Sequence, residues 1–463
     1  MLNRAGHGFL LVVNARSLAK EYLGDLGQVP ESCFKYWQGL GFGAVLLLQS
    51  WVEPADGQAC CVHAFATDDG VGGIQSLEIF RRRASEYGLG VLLDFPPFQV
   101  AQFNPLLDIR DDWVIHRPNV SEGEWDPEAW FAKEVEAGQV LAFARGKDPY
   151  FPPVPGSAQL NPCHPVLREQ MQSVLARMAT LCDGAWFSSA MLALPVAVEK
   201  TWGDFKNPVA GGSILEDSPW PLLLESARDL APEFLGLAEG YWGVEWDLMG
   251  QGFNFCLDQR LTQRLAGKDW TGLMAHLSAP REFLGRTLHR WHELRQSLDG
   301  QDRHLASLVW SLFLATPGLK LVEEHDLDWL MESCKGLDGN GTPNPFYSAW
   351  NAASILDAEW IFRLIEFPGN RMGFDGEHLG FLWSLQANGE SQGRHLLFLS
   401  RLTDGEDSEL ELQVGSAVCQ SIKRSPPGIS LSANSGGWQG DHYQVVMKGR
   451  SPVFFEIRPN MKG

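Results

Sequence analysis

Short strand-like runs alternate with helical segments from the N-terminus to about residue 372. A strand, helix, strand order at this spacing predicts parallel strands joined by right-handed crossovers. Eight parallel strands of this kind can close into a barrel. The eight runs cover residues 8–16, 44–49, 90–95, 183–191, 234–239, 252–257, 282–288 and 319–323. We therefore predict an α/β protein built on a (β/α)8 TIM barrel.

Two regions depart from this alternation. Residues 96–159 are rich in proline, tryptophan and acidic residues, and a long excursion after a barrel strand is usually functional. After a last helix expected over 345–365, short alternating runs are separated by Gly, Ser, Asp and Pro clusters, which predicts antiparallel strands. The expected domains are a barrel over 1–372, with its excursion at about 96–159 after the third strand, and a C-terminal β-sandwich over 373–463.

Charge and cysteine usage restrict the partners and the compartment. The net charge of −20 argues against nucleic acid and against an anionic membrane surface as partners. The eight cysteines are scattered with no C-x-x-C pair, which argues against a structural zinc site and favours free thiols in a reducing cytosol. The apolar run over 9–13 is too short to span a membrane. We expect a cytoplasmic protein with no metal and no cofactor.

Several stretches in chain order carry a resemblance to a known family. They are 159–161, the Asp-Gly pair at 183–184, 190–192, 201–203, 238–246, 251–254 with Asp258, Arg260 and Leu261, and 316–318. Together they resemble the α-amylase family, glycoside hydrolase family 13, over most of the chain. The resemblance implies retaining glycoside hydrolysis, which needs a nucleophilic carboxylate and a carboxylic acid about 5–5.5 Å apart.

The resemblance also locates the catalytic positions of the family, two of them on adjacent strand-like runs. Glu239 matches the acid at the end of the fifth strand. The fourth strand of the family has the pattern D-G-x-R-x-D, whose last Asp is the nucleophile. Here Asp183 and Gly184 match it, whereas Trp186 stands at the Arg position and Ser188 stands at the nucleophile position. A serine hydroxyl without an adjacent base is a poor nucleophile.

Two further family motifs are also altered. After the third strand the family has D-x-x-x-N-H, and here Asp94 is kept while Phe98 and Gln99 replace the Asn and the His. The seventh strand of the family ends in N-H-D, which we align with residues 286–288, where no such triplet occurs. Catalytic groups act as a unit, and loss of the nucleophile alone can reduce the rate by about 10⁶. We therefore expect retaining hydrolysis to be lost.

The altered residues permit two interpretations of the old cleft. Trp186 and Phe98 either fill the emptied pocket or offer aromatic faces to a sugar ring. The candidate ligand contacts are Asp94, Gln99, Trp186 and Trp242, beside the vestigial acid Glu239 and the lost nucleophile at Ser188. The leading hypothesis is a non-hydrolytic pseudoenzyme that binds a neutral α-glucan or a protein partner. The alternatives are a glycosidase or transglycosidase with reassigned groups that uses Glu239, and a purely structural subunit.

Overall fold

The structure is a computed structural model. It describes residues 7–52, 62–117, 125–135, 139–203, 218–298, 303–328, 349, 353, 356, 360–367, 371–387, 390–402, 408–413, 429–433, 442–447 and 453–457. By backbone contacts the chain divides into one unit that covers mainly residues 11–257 and a second that covers mainly residues 258–463.

Eight parallel strands close into a barrel, which confirms the predicted fold class. Their near-continuous apolar sequences suit strands that are covered on both faces. Each of the first six strands forms within or close to its predicted range, and the eighth does as well. The barrel strands are His7–Asn14, Phe42–Leu48, Gly90–Asp94, Gly184–Phe187, Leu235–Ala238, Phe255–Leu257, Thr287–Arg290 and Gly318–Glu323.

Helices surround the barrel. In the part of the chain that the structure describes, no helix is long and apolar enough to cross a membrane. None of the four cysteines described there, Cys33, Cys163, Cys182 and Cys256, forms a disulfide. The α-helices are Ala15–Glu21, Glu31–Gly39, Gly73–Glu86, Leu106–Ile109, Pro165–Ala179, Pro195–Trp202, Trp220–Leu230, Glu245–Gly250, Gln259–Ala266, Trp270–Leu277, Arg281–Leu284, Trp291–Ser297 and Arg303–Ala315.

The Asp-Gly pair that opens the fourth strand has a structural role. Asp183 accepts a hydrogen bond of 2.8 Å from the Val91 amide of the third strand and forms an ion pair of 2.7 Å with Arg81. At Gly184 a Cβ atom would lie only 2.5 Å from the Leu235 carbonyl oxygen of the fifth strand. The pair therefore fixes how the fourth strand enters the barrel between its two neighbours.

Replacing Gly184 with alanine should destabilise the protein by about 1–3 kcal/mol, because the new methyl group must displace a backbone carbonyl in a packed barrel. Urea unfolding followed by far-UV circular dichroism measures this change. Gly39→Ala is the matched control, since the Cβ site at this helical glycine has no neighbour within 4 Å. The control should be neutral or stabilised by up to about 1 kcal/mol. Equal stability of Gly184→Ala and the control would contradict the assignment.

The excursion after the third barrel strand forms a small β-structure of its own. Gln99–Ala101 pairs antiparallel with Ser157–Gln159 at its two ends. Between them, Val140–Ala144 pairs antiparallel with both His116–Arg117 and Trp130–Glu134. Trp130 packs edge-on against Trp202 of helix Pro195–Trp202, with 6.0 Å between the ring centroids. The excursion is therefore anchored to the helix that follows the fourth barrel strand.

The predicted seventh strand is wrong in position. The structure forms helix Arg281–Leu284 over the first part of the predicted range, and the strand is Thr287–Arg290. A short apolar run such as 282–288 does not by itself distinguish a strand from a buried helical turn. Pro280 precedes the helix and Gly285 follows it, so the chain turns before it enters the barrel.

The last predicted helix is also wrong in its C-terminal part. Trp360–Leu364 is a strand that pairs antiparallel with His378–Ala387. Strands of the C-terminal region therefore begin before the predicted boundary at residue 373. Most of the remainder of the predicted helix, 345–365, lies outside the described residues. The division of the chain at 372 stays a prediction.

The C-terminal region contains two antiparallel sheets, as a β-sandwich requires. One has four strands, which are Trp360–Leu364, His378–Ala387, Glu390–Arg401 and Val453–Ile457. The other has five strands, which are Glu366–Phe367, Arg371–Met372, Ser408–Gln413, Ile429–Ala433 and His442–Met447. Phe381 and Phe398 stack across the first sheet with 4.5 Å between their ring centroids. The antiparallel strands predicted after the barrel are thus present in these two sheets.

Candidate functional site

Glu239 and Ser188 lie side by side at the carboxyl ends of two neighbouring strands. Phe187 pairs with Ala238 in parallel register, so the next residues along the two strands are Ser188 and Glu239. Ligands of barrel enzymes bind at this end of the strands. The structure thus places these two residues of the predicted site together.

Both carboxylate oxygens of Glu239 accept a hydrogen bond from the protein. The Ser189 amide donates to Oε2 over 2.7 Å, and the Tyr241 hydroxyl donates to Oε1. Ser189 has a left-handed backbone conformation, with φ of 52°, which directs its amide at the carboxylate. A carboxylate that accepts two hydrogen bonds is fixed in orientation. Glu239 therefore presents a fixed carboxylate at the strand ends, and its role in ligand binding stays a prediction.

The two aromatic side chains that the sequence analysis singled out in the old cleft are buried. Trp186 is only 5% exposed and Phe98 only 7%. Phe98 packs on Trp220, with 5.7 Å between the ring centroids. This burial is what the pocket-filling interpretation requires, and it leaves little of the Trp186 indole for a sugar ring. Its role as a ligand contact stays a prediction.

Asp94 ends the third strand directly beside Trp186, with which it is paired. The Ser50 hydroxyl lies 3.4 Å from its Oδ1 and donates a hydrogen bond to it. Although the residue keeps some accessible surface, burial of its carboxyl group raises its pKa to about 6, against a usual value of 3.8. Near pH 6 this group can donate or accept a proton, which makes it a candidate for reassigned chemistry.

Gln99 lies on the short strand at the start of the excursion, where it pairs with Gln159 at the other end. A Cβ atom on Gly146 would come within 2.7 Å of the Gln99 side-chain amide carbon, so this amide packs directly on the excursion backbone. Gln159 donates from its own side chain to the Phe98 carbonyl over 2.9 Å. The observed contacts of Gln99 are therefore with the excursion, and its role in ligand binding stays a prediction.

Trp242 forms an exposed aromatic pair with Tyr150 of the excursion. The sequence analysis did not single out Tyr150. Their rings meet edge to face with 5.0 Å between the centroids, and they are 39% and 57% exposed. The Lys200 ammonium lies 4.1 Å from the centroid of the Tyr150 ring. We call Tyr150, Lys200 and Trp242 the aromatic rim. Trp242 has a φ of 66°, a costly conformation for a tryptophan that often marks a functional site.

Among known proteins, the chain is matched by solved structures and not by sequence families. No protein-family model matches the chain, and no curated protein matches it. Solved structures do match over nearly the whole length. An α-amylase from H. orenii is 13% identical with a TM-score of 0.64, over 98% of this chain and 100% of that one. The chain has the fold of the α-amylase family.

Two further amylase-fold structures support the same conclusion. A debranching enzyme from Nostoc punctiforme is 13% identical, with a TM-score of 0.64, over 98% of this chain and 99% of that one. An α-glucosyl transfer enzyme, XgtA, is 14% identical, with a TM-score of 0.63, over 99% of this chain and 100% of that one. At these identities the likeness shows the fold, which was predicted from the sequence.

The position of the seventh strand bears on one predicted alignment. Residues 286–288 lie before this strand or in its first half, and their match to the Asn-His-Asp motif stays a prediction. The strand ends at Arg290 and is followed by Trp291, His292 and Glu293. A histidine and a carboxylate therefore follow the end of this strand, and the sequence analysis did not single them out.

Proposed function

We propose that this amylase-fold protein binds a neutral α-glucan without hydrolysing it. Retaining hydrolysis needs a carboxylate as nucleophile, and the residue beside Glu239 at the strand ends is Ser188. The serine hydroxyl cannot replace a carboxylate at an oxocarbenium-like centre without a base to activate it. Glu293 follows the seventh strand, so it does not replace the nucleophilic carboxylate that is missing at Ser188 after the fourth strand.

The exposed pair of Tyr150 and Trp242 is the observation that carries the binding proposal. Glucan rings have apolar C–H faces that stack on flat aromatic side chains, and their hydroxyl groups need polar partners. Trp242 lies three residues after Glu239, and Lys200 contacts Tyr150. The rim thus places apolar and hydrogen-bonding surfaces side by side. The chain's charge of −20 favours a neutral sugar over a phosphorylated one.

Calorimetric titration with maltoheptaose tests binding. We expect a dissociation constant between micromolar and millimolar, equivalent to about 4–8 kcal/mol. Trp242→Ala should weaken binding by about two- to tenfold, because one aromatic face is lost. Trp246→Ala is the matched control, since Trp246 is exposed on the next helix and is not part of the rim. Equal weakening by both variants would argue against the rim as the binding surface.

Turnover assays on starch and nitrophenyl α-glucosides test the second half of the proposal. We expect no release of reducing sugar or nitrophenol. Activity that disappears in Glu239→Gln would overturn the proposal in favour of reassigned catalytic groups. Absence of both turnover and glucan binding would favour a structural or partner-binding subunit, which the burial of Trp186 and Phe98 also permits.

A further inference from the structure

Three potential metal ligands meet beyond the ends of the seventh and eighth barrel strands. The two strands pair in parallel, with Arg290 opposite Leu321, so the segments that follow them leave from the same edge. His292 follows the seventh strand, and His325 and Asp326 follow the eighth. One ligand atom from each of the three residues lies within 4.8 Å of the other two.

The distances between these atoms suit one coordinated ion. His292 Nδ1 lies 2.9 Å from His325 Nε2 and 3.3 Å from Asp326 Oδ2. His325 Nε2 lies 3.7 Å from the second oxygen of the same carboxylate, Asp326 Oδ1. A tetrahedral zinc ion with bonds of about 2.0–2.1 Å holds its ligand atoms about 3.3 Å apart. The two separations from His292 Nδ1 lie close to this value.

The charge and burial of the three residues also suit a cation. Asp326 is fully buried, His292 is 27% exposed, and His325 is 61% exposed. Among the described residues, none donates a hydrogen bond of good geometry to Asp326 Oδ1, although Arg295 Nε lies 2.5 Å away. Arg295 can hold this oxygen while Oδ2, which faces His292, remains available as a ligand. Ligating carboxylates commonly have such an outer partner.

A second outer partner faces the other nitrogen of His292. The Gln296 side-chain amide lies 2.8 Å from His292 Nε2. The orientation of an amide is exchangeable, so its oxygen can accept the Nε2 proton when Nδ1 binds a metal. Metal-binding histidines usually donate their second N–H to such an acceptor, which fixes the tautomer.

We propose that His292, His325 and Asp326 bind a divalent transition metal of the zinc class. Two imidazoles and one carboxylate are a donor set that zinc, cobalt and nickel accept, and hard cations such as magnesium prefer oxygen ligands alone. Three protein ligands leave one tetrahedral position, which opens on the side of the exposed His325 and takes a water molecule. The cysteine spacing could not predict this site, because its ligands are imidazoles and a carboxylate from two separate strand ends.

Cobalt titration of the untagged, reduced full-length protein tests the proposal. Visible d–d absorption of bound Co²⁺ reports a low-symmetry site, and near-ultraviolet charge transfer reports cysteine ligands. We expect one equivalent to bind with visible bands and without a thiolate band, and Zn²⁺ to displace it. Absence of binding, or a thiolate band, would overturn the proposal.

Matched histidine variants assign the ligands. His325→Ala should lower the Co²⁺ affinity by at least about tenfold, and because His325 is mostly exposed the variant should fold. His116→Ala is the control, since His116 is a partly exposed histidine whose Nδ1 lies 3.0 Å from the Val114 carbonyl. Its affinity should equal that of the wild type. Unchanged affinity in His325→Ala would refute the assignment.

Discussion

Replacement of Trp220 by alanine is expected to destabilise the protein by about 3–5 kcal/mol, the usual range for a buried large aromatic side chain. Trp220 is 1% exposed. Its ring contacts Phe98, Phe187 and Phe253 at centroid distances of 5.7, 5.6 and 5.3 Å. Its indole N–H donates to the Ala190 carbonyl over 3.1 Å. Truncation therefore removes ring packing, a hydrogen bond and a large volume together.

This tryptophan also supports the candidate site. Ala190 begins the short helical turn after Ser188 and Ser189, and Ser189 holds the Glu239 carboxylate. Loss of Trp220 should therefore loosen the end of the fourth strand, from which the Ser189 amide holds the Glu239 carboxylate. Where the alanine variant still folds, its glucan affinity should fall as well.

Two variants separate packing from the hydrogen bond. Trp220→Phe keeps most of the ring contacts and loses the donor to Ala190, so it should cost about 1–2 kcal/mol. Trp246→Ala removes an exposed tryptophan and should change stability by less than about 1 kcal/mol. Urea unfolding monitored by far-UV circular dichroism measures all three variants. Similar losses for Trp220→Ala and Trp246→Ala would show that the aromatic cluster does not stabilise the fold.

The barrel could be predicted from sequence because its strands are nearly continuous apolar runs between helices. Both faces of such strands are buried, so the pattern survives wherever the strand packs. The same reliance on apolar runs misplaced the seventh strand. Phe283 and Leu284 are apolar but belong to a helical turn after Pro280. The sequence analysis therefore did not single out His292 and Glu293, which follow the end of the observed strand.

The candidate site was only partly predictable. The proximity of Glu239 and Ser188 could be predicted, because each comes directly after an apolar run that is recognisable as a barrel strand, and the two strands are neighbours. Tyr150 could not be paired with Trp242 from sequence, because the contact depends on how the excursion folds back over the strand ends. The left-handed conformation of Ser189, which fixes Glu239, likewise had no sequence signature, since such conformations favour glycine.

Asp94 should make the stability of the protein depend on pH, because burial raises the pKa of its carboxyl group to about 6 from a usual 3.8. The unfolded chain ionises this group near pH 4, whereas the folded protein keeps it protonated until about pH 6. The unfolded state thus releases its proton first, and stability falls as the pH rises through this window. At about 1.4 kcal/mol per pKa unit, the loss above pH 7 reaches about 3 kcal/mol.

Asp94→Asn should remove this loss, since the amide cannot ionise and its oxygen can still accept from the Ser50 hydroxyl. The variant should be up to about 3 kcal/mol more stable than the wild type at pH 7.5, and the difference should shrink toward zero at pH 4. Urea unfolding at several pH values measures it. Asp229→Asn, at an exposed helical carboxylate, should show no such trend. A stability difference for Asp94→Asn that stays constant between pH 4 and 7.5 would mean that the buried carboxyl group titrates at its ordinary pKa.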